Sequence, residues 1–374
     1  MERSLDRLAR ALGLEVQAFA TPTAILATLS DGDELITQVV RVEPGGTDLE
    51  RLSALNELVG RVERHELTPG DAKRRLDVIL ARPPRYGATA SMVAYGLVSV
   101  SAAALLGGSL VDLPVAAGLG VLVGIGEGLA ARFDSLGRLL PALGAALASF
   151  LGTAVAAAGV PVQPSVLLLA AVVVLLPGFT LTTAMLELAS AHLVSGMARL
   201  AAAAITFLQL AFGIALGRAL AQLLGEVDQA SAPSLPEWTL LVAPVVSALG
   251  FGVLLKARPS PALPVLASGF LALLGSRVGG QLLGAELGAF VGAFLVAAAA
   301  HLYARRSGQP VTLMLVPGIL FMVPGSVGFL SLSSLIEQDV QNAVITAFRM
   351  CLIAMALAAG LLAASAAIPS RRAL

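Results

Sequence analysis

The chain has 374 residues, 57% of them hydrophobic and 13% charged, with 24 Lys/Arg balanced by 24 Asp/Glu. A mean hydropathy of +0.87 lies outside the range of water-soluble globular proteins. Cys351 is the sole cysteine, which excludes an intrachain disulfide and a thiolate metal cluster, and a net charge of zero gives no basis for nucleic-acid binding. The charge is unevenly placed: residues 1–87 hold 12 of the Lys/Arg and 14 of the Asp/Glu. That segment is expected to face water and the rest to lie in lipid.

The opening MERSLDRLARALGLE reads as a charged amphipathic helix and not as a secretory signal, because it has no apolar core. The segment that follows is therefore expected in the cytoplasm. VQAFATPTAILATL and ELITQVVRV are predicted strands, rich in Val, Ile and Thr, with a turn at Ser30 to Asp33 between them. Gly45-Gly46-Thr47-Asp48 opens a predicted helix to about Arg64, with Leu49, Leu52, Leu55, Val59 and Val62 at helical spacing. Thr68-Pro69 starts another, to about Arg82, with Pro69 at the favoured first position. Residues 1–87 thus form a small cytoplasmic α+β domain, a scaffold or regulatory module. It carries no nucleotide loop, catalytic spacing or metal cluster, and His65 reads as a surface residue.

A membrane span needs about 20 apolar residues. Ten runs qualify, near 88–108, 114–131, 139–158, 165–186, 200–224, 238–255, 262–282, 284–304, 311–336 and 343–368. With the N-terminus inside, Arg132, Arg138, Lys256, Arg258, Arg305 and Arg306 fall in cytoplasmic loops, whereas Asp112, Glu226, Asp228, Glu237 and Asp339 fall opposite. That is the positive-inside distribution, with both termini cytoplasmic in the cell's inner (plasma) membrane. Arg218, Arg277 and Arg349 depart from it. The predicted fold is an α-helical polytopic membrane protein with two five-helix repeats, 88–225 and 238–370. An odd number of spans per half inverts the second relative to the first.

The two halves echo each other. VVLLPGFTLTTAMLE (173–187) and FMVPGSVGFLSLSSLIE (321–337) each break an apolar run with Pro-Gly, add hydroxylated residues and end on a glutamate. Glu187 precedes Arg199 by the same twelve-residue interval that separates Glu337 from Arg349. Proline lacks a backbone donor, so freed carbonyls in such breaks must be covered by protein or line a wet cavity. A half-helix starting after Pro177-Gly178 or Pro324-Gly325 would aim its positive end at the membrane centre, where it suits a carboxylate. Thr180, Thr183 and Glu187 share one helix face, and Ser326 with an earlier break at Pro317-Gly318 adds polar groups in the second half. Together these suit a small zwitterion.

Other charges carry two readings. Glu127, in GIGEGLAARF, is either a proton carrier within span two or the partner of Arg132. Glu286 and Arg277 are expected to pair with each other. His301 reads as structural, while His192 stands between Glu187 and Arg199 and is the better functional candidate of the two. Gly284, Gly288 and Gly292 form a small-residue ridge for helix packing.

RLARALGLEVQAFATPTAIL, DLERLSALNELVGRV, LLGGSLVDLPVA and LLPGFTLTTAMLELASAHLVSGMARL resemble the threonine/serine exporter (ThrE) family. LVPGILFMVPGSVGF resembles the second membrane module that fused members carry. The likeness spans nearly the whole chain. It implies ten spans, a cytoplasmic N-terminal domain and export of L-threonine and L-serine driven by the proton gradient, without a cofactor or metal. The implied motif positions are Gly107, Gly108 and Asp112 in a loop; Pro177, Gly178, Thr183 and Glu187 in the first break; and Pro317, Gly318, Pro324, Gly325 and Ser326 in the second. Members usually carry a further helix ahead of RLARALGL, which stands here almost at Met1.

The expected function is a proton-coupled exporter working by alternating access between inverted halves, with Glu187 or Glu127 protonated and a homo-oligomer compatible with the pattern. A dicarboxylate exporter of the succinate type is the nearest alternative, with Arg199 and Arg349 as its cations. A passive small-solute channel is the alternative of another class. No catalytic constellation lies in the spans, so an enzyme is not expected.

Overall fold

The computed structural model describes residues 2–42, 46–224, 235–258, 262–322, 325–336 and 339–368. The charged first segment begins with α1 (Glu2–Ala11) and the strands β1 (Glu15–Ala20), β2 (Ala24–Ser30) and β3 (Leu35–Arg41), an antiparallel meander in chain order. The predicted first strand is two strands. Thr21 turns the chain between them: its hydroxyl donates to the Ala24 carbonyl and accepts from the Ala24 N–H, at 3.1 and 3.0 Å. Pro22 beside it has no N–H to offer a ladder. At the second turn Gly32 takes φ +101°, and Asp31 accepts the N–H groups of Asp33 and Glu34.

Next come α2 (Leu49–Glu63) and α3 (Pro69–Ala81), close to their predicted limits. Asp48 caps α2 by accepting the Arg51 N–H at 2.9 Å, and Thr68 caps α3 through Asp71 N–H. Gly45 lies outside the described residues.

Twelve helices follow: α4 (Ala88–Leu105), α5 (Asp112–Ala130), α6 (Asp134–Ala157), α7 (Pro164–Val172), α8 (Gly178–Ala189), α9 (Leu193–Ala221), α10 (Thr239–Leu254), α11 (Ala262–Leu283), α12 (Ala285–Ser307), α13 (Thr312–Leu320), α14 (Gly325–Ile336) and α15 (Val340–Ala367). Seven of them (α4, α5, α6, α9, α11, α12 and α15) are long and apolar enough to cross a bilayer. The other three expected spans take different forms. α10 has 16 residues, and the fourth and ninth runs are each two short helices, α7/α8 and α13/α14. Large apolar side chains point outward along the long helices, for example Leu208 (61% exposed), Phe212 (65%) and Phe348 (66%), as lipid-facing surfaces require.

Small residues set the helix contacts. A Cβ on Gly213 or Gly217 of α9 would strike the carbonyls of Ala142 and Ala146 on α6, so these backbones touch. In the expected glycine ridge, Gly288 and Gly292 do abut α11, but Gly284 sits at φ +93° as the cap before α12. Packing repeats between the halves. α6 lies along α9 as α12 lies along α15; α8 packs on α9 as α14 packs on α15; α7 packs on α5 and α6 as α13 packs on α11 and α12. Across the halves, α8 packs on α15, α14 on α9, and α4 on α10.

The charged first segment docks on the later helices at the start of α2. Leu49 N–H donates to the Leu255 carbonyl at 2.9 Å, and Leu49 is buried with Ala257 and Leu313. Glu50 accepts from Arg85 at 2.7 and 2.9 Å and from Arg258 at 3.3 Å. Tyr86 donates to the Ala257 carbonyl at 3.0 Å.

Candidate functional site

The first interruption follows from local bonding. Leu175 and Leu176 N–H groups both turn back to the Val172 carbonyl, at 2.8 and 3.2 Å, which closes α7. Pro177 is buried and caps α8 without a donor of its own; its carbonyl accepts the Leu181 N–H at 2.9 Å. The first N–H groups of α8 have no acceptor within the helix and carry its positive end. The second interruption lies between Leu320 and Gly325, where Met322 N–H bonds Ile319. Pro324 and Glu337 lie outside the described residues.

The other Pro-Gly pair corrects an expectation. Pro317 and Gly318 are buried inside α13, so they make no break. Gly318 is there because a Cβ would collide with Val296 of α12, and Pro317 forgoes one helix bond without ending the helix.

The second halves of the broken helices meet the same two neighbours. Phe179 and Leu186 of α8 join the apolar cluster of Ala293, Ala297, Leu357 and Leu361, and Leu181 packs with Ala203 and Ala354. Gly328 of α14 lies directly against Phe207 of α9 and Met350 of α15. α8 and α14 are thus held together between α9 and α15.

The hydroxyls near the breaks divide into committed and available groups. Thr183 donates to the Phe179 carbonyl at 2.8 Å and buried Thr182 to Gly178 at 3.0 Å, so both satisfy their own helix. Thr180 and Ser326 are half-buried, and among the described residues neither hydroxyl has a protein hydrogen-bond partner.

The charged candidates fall into pairs that the sequence predicts only in part. Arg199 Nε lies 3.0 and 3.1 Å from the two Glu187 carboxylate oxygens, and the Glu187 carbonyl accepts His192 N–H at 2.8 Å. This ties the turn between α8 and α9. His192 itself is exposed. Arg349 pairs with Glu286 at 3.3 Å, which displaces the expected Glu286–Arg277 pair. α12 lies along both α11 and α15, but the side chain that reaches Glu286 is Arg349 of α15, while Arg277 is exposed on α11 and has no such pair among the described residues. Glu127, exposed in the last turn of α5, makes no ion pair with Arg132 among the described residues. Buried His301 contacts Ser365 at 3.2 Å and joins α12 to α15.

The Gly-Gly-Asp loop has a clear structural basis. Gly107 takes φ +82°, and a Cβ on Gly108 would meet the Ala103 carbonyl. Asp112 is fully buried. Its carboxylate accepts from Ser109 N–H (2.7 Å), Ser109 hydroxyl (2.7 Å) and Gln163 N–H (2.8 Å), locking the α4–α5 loop to the α6–α7 loop. Sequence reasoning missed the Glu50 junction, because its partner Arg258 stands 208 positions away and carries no local signal.

These elements define an α-helical, multi-pass membrane protein with two interrupted helices at its centre. Residues 1–221 match the sequence model of a family described as "Putative threonine/serine exporter", and residues 240–367 match a second described as "Threonine/Serine exporter, ThrE". The chain belongs to the threonine/serine exporter family. It is 27% identical over 87% of its length to a probable threonine/serine exporter of Mycobacterium tuberculosis, covering 63% of that protein. It is 29% identical over 90% of its length to pheromone-regulated membrane protein 10 of Candida albicans, covering 31% of it. An uncharacterized protein of Schizosaccharomyces pombe is 29% identical over 70% of the chain and is covered to 36%. The chain therefore spans about a third to two thirds of these relatives. No solved structure matches it.

Proposed function

We propose that this protein is a secondary active exporter of small hydroxy amino acids, L-threonine and L-serine, driven by the proton gradient. In this reading ten membrane-crossing units form two inverted repeats, with α7/α8 and α13/α14 as the fourth and ninth. Both termini and residues 1–87 are cytoplasmic. The observation that carries it is the reciprocal packing of the interrupted helices: α8 packs on α9 and α15, and α14 on the same two. The boundary between the two family matches, after residue 221 and before 240, supports the same division.

The substrate sits where α8 and α14 begin. Their N-terminal N–H groups hold its carboxylate, as helix starts hold anions generally. Thr180 and Ser326 supply free hydroxyls for its ammonium and side-chain hydroxyl. Glu187 is engaged by Arg199 and acts as a strut for the α8–α9 turn. Glu127, with no ion-pair partner among the described residues, is assigned the coupling proton. A carboxylate in this segment is costly while charged and is carried more cheaply as the neutral acid. The positions of Arg199 and Arg349 weigh against a dicarboxylate, since each already faces a glutamate.

The test uses proteoliposomes loaded with labelled threonine, serine or succinate, with and without an acidic outer medium. The proposal expects gradient-accelerated efflux of threonine and serine and no efflux of succinate. Flux that ignores the gradient establishes a passive channel instead, and flux of succinate alone rejects the amino-acid reading.

A further inference from the structure

β3 leaves all seven of its residues exposed, including Leu35 (76%), Ile36 (52%), Val39 (66%) and Val40 (53%). It is the outer strand of the meander, hydrogen-bonded to β2 on one side alone. α1 packs on β1 at the other edge and leaves β3 uncovered. Edge strands that stay single are defended by a proline, a bulge or a charge within the strand. β3 has an unbroken register with β2 from Leu35 to Arg41 and no proline, and its one charge, Arg41, stands at its last position.

The sequence around this edge is complementary to itself when reversed. Leu35, Thr37, Val39 and Arg41 alternate onto one face of β3, and Asp33 lies two positions before Leu35, in the turn that leads into the strand. Against a second copy running antiparallel and centred on Thr37, Asp33 stands opposite Arg41, Leu35 opposite Val39, and Thr37 opposite itself. On the other face Ile36 meets Gln38 and Glu34 meets Val40, so no like charges are opposed. Opposite charges and apolar pairs directly across a ladder are the units that stabilise it. A two-fold axis through Thr37 satisfies each of these pairs twice, as an isologous contact must.

We propose that β3 pairs with β3 of a second copy of this chain about a two-fold axis at Thr37, joining two three-stranded meanders into one six-stranded sheet. The dimer is built by the charged first segment and needs no assumption about the transported substrate.

The test is disulfide trapping of the full-length protein in liposomes, in a Cys351→Ser background. Thr37→Cys is expected to give at least tenfold more covalent dimer on mild oxidation than Phe19→Cys, which is also exposed but two strands away. The yield should hold when lipid is increased tenfold. Adding Asp33→Arg should abolish trapping, and adding Arg41→Asp to that variant should restore it, which separates pairing from misfolding. Equal yields at positions 37 and 19, a yield that falls with lipid dilution, or failure of the charge swap to restore trapping overturns the proposal. So does shielding of Thr37→Cys by the bilayer without dimer formation, which would make β3 a membrane-contacting edge.

Discussion

Asp112 stands at a junction that a single atom change disturbs. Alanine there would leave the buried Ser109 N–H and hydroxyl and the half-buried Gln163 N–H without that acceptor. Each stranded group costs about 1–3 kcal/mol, so Asp112→Ala is expected to lose about 3–5 kcal/mol in all. Asp112→Asn keeps one carbonyl acceptor and should lose less; thermal unfolding in detergent orders the two. The motif was visible in the sequence, but its partner was not, because Gln163 lies 51 positions on. The same limit applied to Arg349, whose glutamate is Glu286 on a different helix. Glu187 and Arg199 were legible because one turn brings them together. Two carboxylates then separate in experiment. Glu127→Gln is expected to remove the gradient-dependent part of threonine efflux while threonine–threonine exchange continues. Glu187→Gln should keep the gradient response and lower thermal stability, and the opposite pattern would exchange their roles.

At the scale of helices and their joints, the same dipeptide gave two results. Pro177-Gly178 ends one helix and starts another, whereas Pro317-Gly318 stays within α13. Composition alone does not distinguish them. The difference lies in local bonding: Leu175 and Leu176 N–H turn back to the Val172 carbonyl ahead of Pro177, whereas Pro317 sits within a continuous helix. The α6–α9 contact depends on Gly217, so Gly217→Val should cost about 3 kcal/mol or prevent assembly, read as loss of monodisperse protein in detergent. The joint to the charged first segment is expected to weaken in acid. Arg85, by hydrogen bonding, holds the Glu50 carboxyl below its ordinary value of 4.5, against partial burial; Arg258 adds to this. A depressed acid contributes fully above its unfolded value and loses that contribution as pH falls through the folded one. The protection factor of Leu49 N–H, bonded to Leu255, should therefore fall below about pH 4.5, once the slower intrinsic exchange in acid is divided out. In Glu50→Gln that acid response should vanish, with a change at neutral pH of about 1 kcal/mol or less because the arginines are partly exposed.

For the molecule as a whole, hydropathy was enough to separate a charged first segment from a membrane region, and the long helices follow the predicted runs closely. Hydropathy could not tell a continuous span from two short helices in line, since both are apolar throughout. That distinction comes from hydrogen bonds at Val172 and from the packing of α8 and α14. The proposed substrate site has Thr180 and Ser326 at the starts of α8 and α14, the two helices that share α9 and α15 as neighbours. The direct measurement is labelling of single cysteines at these two positions, in a Cys351→Ser background, by a membrane-impermeant thiol reagent in proteoliposomes. Both are predicted to be labelled without substrate and protected by saturating threonine, while succinate gives no protection. Labelling that threonine leaves unchanged at both positions would contradict a substrate site between the two broken helices.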